Sequence, residues 1–245
     1  TYVMQGGKLD EFVFRADAGV GIGDANDFTD ISGKRKLVNL LGIKYVILEK
    51  EDEQTMQENN FLKVFEGKDF DVWENSEVIP RAFLASNYEG PPDVFGPEPE
   101  TPEEREIREE ERRKLIMQKL LKEEFDYRNS IILENPSPIS PQFGEGTAVI
   151  ERYEPNEVVI NTNSDVPKIL FLSDNYYPGW KATVDGDETP ILRANYTFRA
   201  VPLTPGEHEV RFYYDSEVFK LGLAVSVFSL GALIFLTLLK NRLAD

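Results

Sequence analysis

The stretch KILFLSDNYYPGWKATVDGDETPILRANYTFRAVPLTPGEHEVRFYYD, residues 168–215, is a series of short apolar or alternating runs broken by turn residues. Ile169-Leu170-Phe171-Leu172, Ala182-Thr183-Val184, Tyr196 to Val201 and Glu209 to Tyr214 read as strands, and Val158-Val159-Ile160 precedes them as another. Asp185-Gly186 favours a two-residue hairpin turn, whose central positions need left-handed backbone. Pro205-Gly206 marks a second reversal. Short strands at this spacing predict an antiparallel β-sandwich over residues 130–217.

On its C-terminal side this region runs into Leu221 to Leu239, nineteen uncharged and mostly apolar residues. As a helix that run is roughly 28 Å long, close to the ~30 Å hydrocarbon thickness of a bilayer, so residues 218–240 read as one transmembrane helix. Lys240 and Arg242 follow it, whereas Asp215, Glu217 and a single Lys220 precede it, which favours a cytoplasmic C-terminus and an extracytoplasmic main domain. Thr1 to Asp10 has no basic-then-apolar signal. The two observations agree if the chain continues a longer polytopic protein whose earlier spans deliver it across the membrane; the rival is a tail-anchored cytoplasmic protein. Gly222, Ser226 and Ser229 fall on one face of the helix, where small residues let a neighbouring transmembrane helix approach.

On the N-terminal side, residues 1–89 read as a small mixed α/β region. A short helix from Lys34 to Leu41, stopped by Gly42, feeds the strand Ile43 to Leu48. Phe61 to Phe65 and Phe70 to Trp73 flank Gly67-Lys68 as a hairpin, and Pro80 to Ala85 adds a strand. Residues 90–129 hold a Pro-rich linker and a charged helix. Thr101, Pro102 and Glu104 have the pattern of an N-cap, a first-turn proline and a capping box, and predict a helix running to about Tyr127. Within it Glu104–Arg108, Glu109–Arg113 and Glu110–Lys114 are spaced for ion pairs, and Leu115, Leu120 and Leu121 for packing. The fold class is α+β: the mixed region, the sandwich, then the membrane helix.

With 44 acidic and 27 basic residues the net charge is -17, which argues against nucleic acid as a partner and against an anionic lipid surface as a broad docking face. The absence of cysteine removes thiolate chemistry, and a single histidine makes a zinc site implausible; no metal or other cofactor is expected.

Residues 172–186, LSDNYYPGWKATVDG, continue through Arg193-Ala194-Asn195-Tyr196 and Pro205-Gly206-Glu207-His208 directly into Phe219-Lys220-Leu221-Gly222. This ordered set resembles the C-terminal end of YfhO-like bacterial membrane proteins, polytopic relatives of the GT-C glycosyltransferases. The resemblance covers about Val166 to Leu239, and more loosely Leu37 to Leu84. It implies a parent that transfers sugars from polyprenyl-phosphate carriers to envelope glycans, with catalytic carboxylates between early spans that these residues do not include. No catalytic residue is therefore assigned. The expected partners are the lipid bilayer, neighbouring transmembrane helices of the same parent, and a lipid-linked sugar or envelope glycan. The alternative is a membrane-anchored binding or structural module without catalytic activity.

Candidate substrate-binding residues are Asp174, Tyr176, Tyr177 and Trp180, because aromatic faces stack on sugar rings and loops on a rigid sandwich commonly carry contacts. The competing reading packs Trp180 in the core and uses the tyrosines to fix a turn. Asp174 and Asp185 form an acid/base pair only if they converge; otherwise Asp174 caps a loop and Asp185 serves its turn. His208 shares a strand face with Val210 and Phe212 and is expected inward and hydrogen-bonded. Gly19, Gly21 and Gly23 lack the third glycine of a dinucleotide loop, Asp24 standing in its place, and read as a turn-rich connection. Asn195-Tyr196-Thr197 matches a glycosylation sequon.

Overall fold

The computed structural model describes residues 2–5, 31–49, 53–58, 60–91 and 101–244. The glycine-rich segment at Gly19, Gly21, Gly23 and Asp24, and linker residues 92–100, lie outside the described residues.

The N-terminal region contains β1 (Tyr2–Gln5), α1 (Ile31–Leu40), β2 (Ile43–Glu49), α2 (Glu53–Glu58), β3 (Phe61–Glu66) and β4 (Phe70–Asn75). The strands form a sheet of order β1-β2-β4-β3, in which β1 runs parallel to β2 and the others are antiparallel. Gly42 stops α1 with φ +67°, a left-handed conformation that costs glycine little. Ile43, Val46, Met56, Phe61 and Trp73 make the core of this unit. Asn75 ties the sheet to the helix: its amide donates to Asn39 Oδ1 at 2.8 Å and to the Ile43 carbonyl at 3.0 Å.

Next come β5 (Ala82–Ala85), β6 (Asn87–Glu89), α3 (Pro102–Leu121) and β7 (Ser130–Ile132). The capping box of α3 is formed as expected: Glu104 N donates to Thr101 Oγ1 at 3.1 Å and Thr101 N to Glu104 Oε2 at 3.2 Å. The helix stops at Leu121, short of Tyr127, because the backbone opens to an extended conformation at Lys122. Of the expected ion pairs Glu110–Lys114 forms at 2.8 Å, while Glu109 reaches Arg112 at 3.5 Å. Ile116 and Leu120, one turn apart, bury against Leu40, Ile79, Phe125 and Ile132.

The remaining strands are β8 (Gly146–Glu154), β9 (Glu157–Ser164), β10 (Lys168–Asn175), β11 (Trp180–Val184), β12 (Asp187–Thr189), β13 (Leu192–Ala194), β14 (Phe198–Leu203) and β15 (Gly206–Tyr214); the chain then enters α4 (Glu217–Ala244). They build two facing sheets, β12-β11-β15-β9-β8 and β13-β14-β10-β5. Val158, Ile160, Val210 and Phe212 from the first interlock with Leu170, Leu172, Val201 and Leu203 from the second. The expected antiparallel sandwich is present. Removing one of these fully buried leucines, as in Leu170→Ala, costs ~2–5 kcal/mol.

The second sheet is buried on both faces. Ile169, Phe171, Phe198 and Ala200 point away from the sandwich core and pack on Ile131 and Leu133. This double burial explains the unbroken apolar character of ILFL and of β14, which a half-exposed strand would not show. Two elements differ from the sequence expectation. β5 pairs with β10, Phe83 opposite Phe171, so the strand assigned to the N-terminal region completes the sandwich. Tyr196, expected to open a strand, instead turns together with Asn195, with φ +81° and +45°, between β13 and β14. Asn195 acts as a strand surrogate: its N donates to the Ile132 carbonyl at 2.8 Å, and its Oδ1 accepts from Ile132 N at 2.7 Å. At 1 % exposure the Asn195 amide is closed to glycosylation in the folded chain.

Two residues, Asp215 and Ser216, separate β15 from α4. Every described side chain from Glu217 to Phe235 is exposed, on all sides of the helix. Among the described residues no helix is long and apolar enough to cross a membrane. α4 as an element nevertheless takes in the whole run Leu221 to Leu239.

Candidate functional site

The loop from β10 to β11 carries Tyr176, Tyr177, Pro178 and Gly179 and lies at one end of the sandwich. It is shaped by a register break: Leu172 pairs with Arg199, but the next pair is Asn175 with Phe198, so Ser173 and Asp174 form a bulge. A bulge re-aims side chains. Here it brings Asp174 to Tyr153 at the end of β8, whose hydroxyl donates to the carboxylate with Oη–Oδ distances of 3.0 and 3.2 Å. Arg81, just before β5, lies 3.5 Å from the same carboxylate and covers the Tyr153 ring at 4.5 Å. Burial, and then the negative charge of Asp174, push the Tyr153 phenol up to about 12.

Arg199 enters from β14 and is 4 % exposed. Its Nε donates to the Asn175 carbonyl at 2.9 Å, and its guanidinium lies 3.8 Å from the centroid of the Trp180 ring. Burial lowers its pKa, and the nearby Asp174 opposes that effect. Trp180 also meets Tyr214, ring to ring, at 5.8 Å. One Trp180 face is thus taken by a cation, a contact of ~0.5–2 kcal/mol. Tyr176 and Tyr177 are the exposed members of the loop, at 39 % and 62 %.

The loop is clamped to the root of α4. Asp215 N donates to the Gly179 carbonyl at 2.7 Å, and Tyr176 N donates to the Thr197 carbonyl. Lys181 Nζ donates to the Asp215 carboxylate at 2.8 Å, and Lys220 pairs with its other oxygen. Hydrogen bonds from Lys181 and then Lys220 hold the Asp215 carboxyl below its usual range. Gly179, with φ +98°, lets the backbone pass against the Tyr214 ring.

Asp185 sits at the opposite end of β11 from Trp180, so the two candidate carboxylates do not converge. Asp185 and Gly186 form the expected hairpin turn, with φ +53° and +92°. Asp185 Oδ2 lies 2.7 Å from His208 Nδ1, and its Oδ1 accepts from Glu209 N at 2.9 Å. Those two bonds, the histidine's first, lower the Asp185 pKa. His208 Nε2 is 3.0 Å from the Thr204 carbonyl oxygen, so the ring staples two turns, largely buried and bonded as its strand position implied. Among the described residues no three acidic or histidine side chains gather as a metal site.

In α4 the hydroxyls of Ser226 and Ser229 donate to the carbonyls of Gly222 and Val225, both at 2.8 Å. The partners around the loop that the sequence reading missed are Arg81, Tyr153, Arg199 and Asp215. Arg199 carries a signal in retrospect: a charged residue inside a strand otherwise apolar on both faces requires a specific partner.

Residues 140–226 match the family model described as bacterial membrane protein YfhO. The matched segment covers β8 to β15, the candidate loop and the first turns of α4, and bears out the resemblance seen in the motif order. It supports a membrane location and a lipid bilayer environment for the chain. Neither the characterised proteins nor the solved structures compared with the chain give a match.

Proposed function

We propose that this chain is the extracytoplasmic C-terminal part of a polytopic membrane protein, and that its sandwich assists transfer of sugars from polyprenyl-phosphate carriers to envelope glycans. In this reading α4 is the last span, crossing the bilayer with Leu221 to Leu239. The observation that carries the proposal is the Asp215 clamp, which fastens the Tyr176–Trp180 loop to the root of the apolar helix. A carrier's phosphate lies at the bilayer surface with its sugar projecting outward, and with α4 as a span the clamp would hold the loop at that height.

Within the loop Tyr177, and the Tyr176 face turned away from the Arg193 guanidinium 6.0 Å from its ring centroid, are available to a sugar ring, while Asp174 and Trp180 hold the loop in shape through Tyr153, Arg81 and Arg199. The bond-making groups belong to the parent's other segments, so the role here is recognition. The all-round exposed apolar surface of α4 supports contact with lipid and neighbouring helices. Gly222, Ser226 and Ser229 supply the close-approach face; the two serine hydroxyls are already bonded within the helix, so packing there leaves no unpaired donor.

The test is equilibrium binding of undecaprenyl-phosphate glucose to the chain in phosphatidylcholine nanodiscs, read by native mass spectrometry. Binding that weakens about tenfold, or about 1.4 kcal/mol, in the double variant Tyr176→Ala/Tyr177→Ala is the expected result. Absence of binding by the unaltered chain, or equal binding by the variant, contradicts the proposal.

A further inference from the structure

We infer that the Tyr176–Trp180 loop is an interfacial anchor: Tyr176 and Tyr177 seat in the headgroup layer of the bilayer that α4 enters, the depth at which the carrier's sugar would meet them, and fix the sandwich's tilt over the membrane. The inference rests on the reading of α4 as a span and adds the identity of the surface that covers the loop.

The occupant follows from position. Gly179 packs against Ser216, to whose Cβ an added methyl would come within 3.4 Å, and its carbonyl is bonded to Asp215 N. Ser216 is five residues before Leu221, about 7–8 Å of helical rise. The headgroup layer on each side of the hydrocarbon core is about 5–8 Å thick. The loop is therefore held at that layer by a short rigid connection, and its chemistry suits the place. Tyr177 is 62 % exposed and Phe219, in the first turn of α4, 69 % exposed, and a phenol presents an apolar ring together with a hydroxyl that needs a polar partner. Tyrosine meets both demands at a membrane–water boundary.

The attachment is aromatic and not electrostatic. Lys181 and Lys220 are both engaged by Asp215, Glu217 adds a negative charge beside them, and the chain carries a net charge of -17. Anionic lipid is therefore not required, in keeping with a surface unsuited to broad electrostatic docking.

The chain has no cysteine, so single-cysteine variants report one position each. Tyr177→Cys, Asp187→Cys and Leu230→Cys are nitroxide-labelled in phosphatidylcholine nanodiscs, and collision with lipid-soluble oxygen is compared with collision with a water-soluble nickel chelate. Asp187 lies beyond the far end of β11, a strand about 17 Å long, and serves as the aqueous reference. The expected result is a lipid signature at Leu230, a water signature at Asp187, and a Tyr177 label at headgroup depth that does not change when anionic phosphatidylglycerol is added. A Tyr177 label as open to nickel as Asp187, with Leu230 in lipid, overturns the anchor and leaves the span intact. A Tyr177 label shielded from both quenchers assigns the loop to a protein neighbour and also overturns it. A water signature at Leu230 removes the span itself, and the anchor with it.

Discussion

Replacing Gly179 by alanine separates two costs that the loop geometry sets. With φ at +98°, any side chain meets backbone strain of ~1–3 kcal/mol. The added Cβ would also lie 2.9 Å from Cε2 and 3.2 Å from Cζ of Tyr214, so that ring must move. Tyr214 is the residue that packs on Trp180 at 5.8 Å, and losing a good aromatic contact costs ~0.5–1.5 kcal/mol. The expected destabilisation of Gly179→Ala is about 2–4 kcal/mol. Gly186→Ala is the internal control: its φ is +92°, but nothing lies within 4 Å of the added Cβ, so it bears the backbone cost alone. Urea unfolding of the chain in detergent micelles, followed by far-ultraviolet circular dichroism, should place Gly179→Ala about 1 kcal/mol below Gly186→Ala at an unchanged denaturant slope. Equal losses for the two variants would mean that Tyr214 does not press on the loop, and the reading of Gly179 as the point where the backbone passes against that ring would fail.

Other perturbations read different parts of the frame. Lys168 is buried at 2 % exposure and donates to Ser86 Oγ at 2.7 Å and the Gly144 carbonyl at 2.6 Å; burial lowers its pKa. Lys168→Met strands both acceptors and should cost ~1–3 kcal/mol by the same unfolding assay. Thr101→Ala removes the α3 cap, costing about 1 kcal/mol, and hydrogen exchange should speed up in the first turn only. Tyr153 holds its proton up to about 12 in the folded chain, against about 10 when unfolded, so its contribution to stability is complete below about pH 10 and lost as pH rises through the folded value. In a tyrosinate absorbance titration the late-titrating component should vanish in Tyr153→Phe and move to lower pH in Asp174→Asn.

Local features of the fold were legible because their causes are local. The capping box of Thr101 and Glu104, the Asp185-Gly186 turn and the β3–β4 hairpin each depend on a few neighbouring residues. The membership of β5 in the sandwich was not legible, since Phe83 meets Phe171 across a long separation and nothing in the strand names its partner. Tyr196 was misread for a related reason: its neighbour Asn195 is bonded to Ile132 on β7, and the left-handed turn at the two residues prevails over the strand preference of Tyr196. At the candidate loop the aromatic residues stood out in sequence, whereas the groups that hold them did not. Arg81, Tyr153, Arg199 and Asp215 come from separate elements, and only the folded sheet order and the bulge at Ser173 and Asp174 bring them together.

The central claim is that α4 sits in the bilayer with the sandwich outside the cell. Labelling of a single cysteine at exposed Glu188, carried in the full-length parent protein in intact bacteria, with a membrane-impermeant maleimide, tests it most directly. The account predicts full labelling without permeabilisation, with the chain in the membrane fraction. Labelling that appears only after the cells are opened, or recovery of the chain free of membranes, would contradict it.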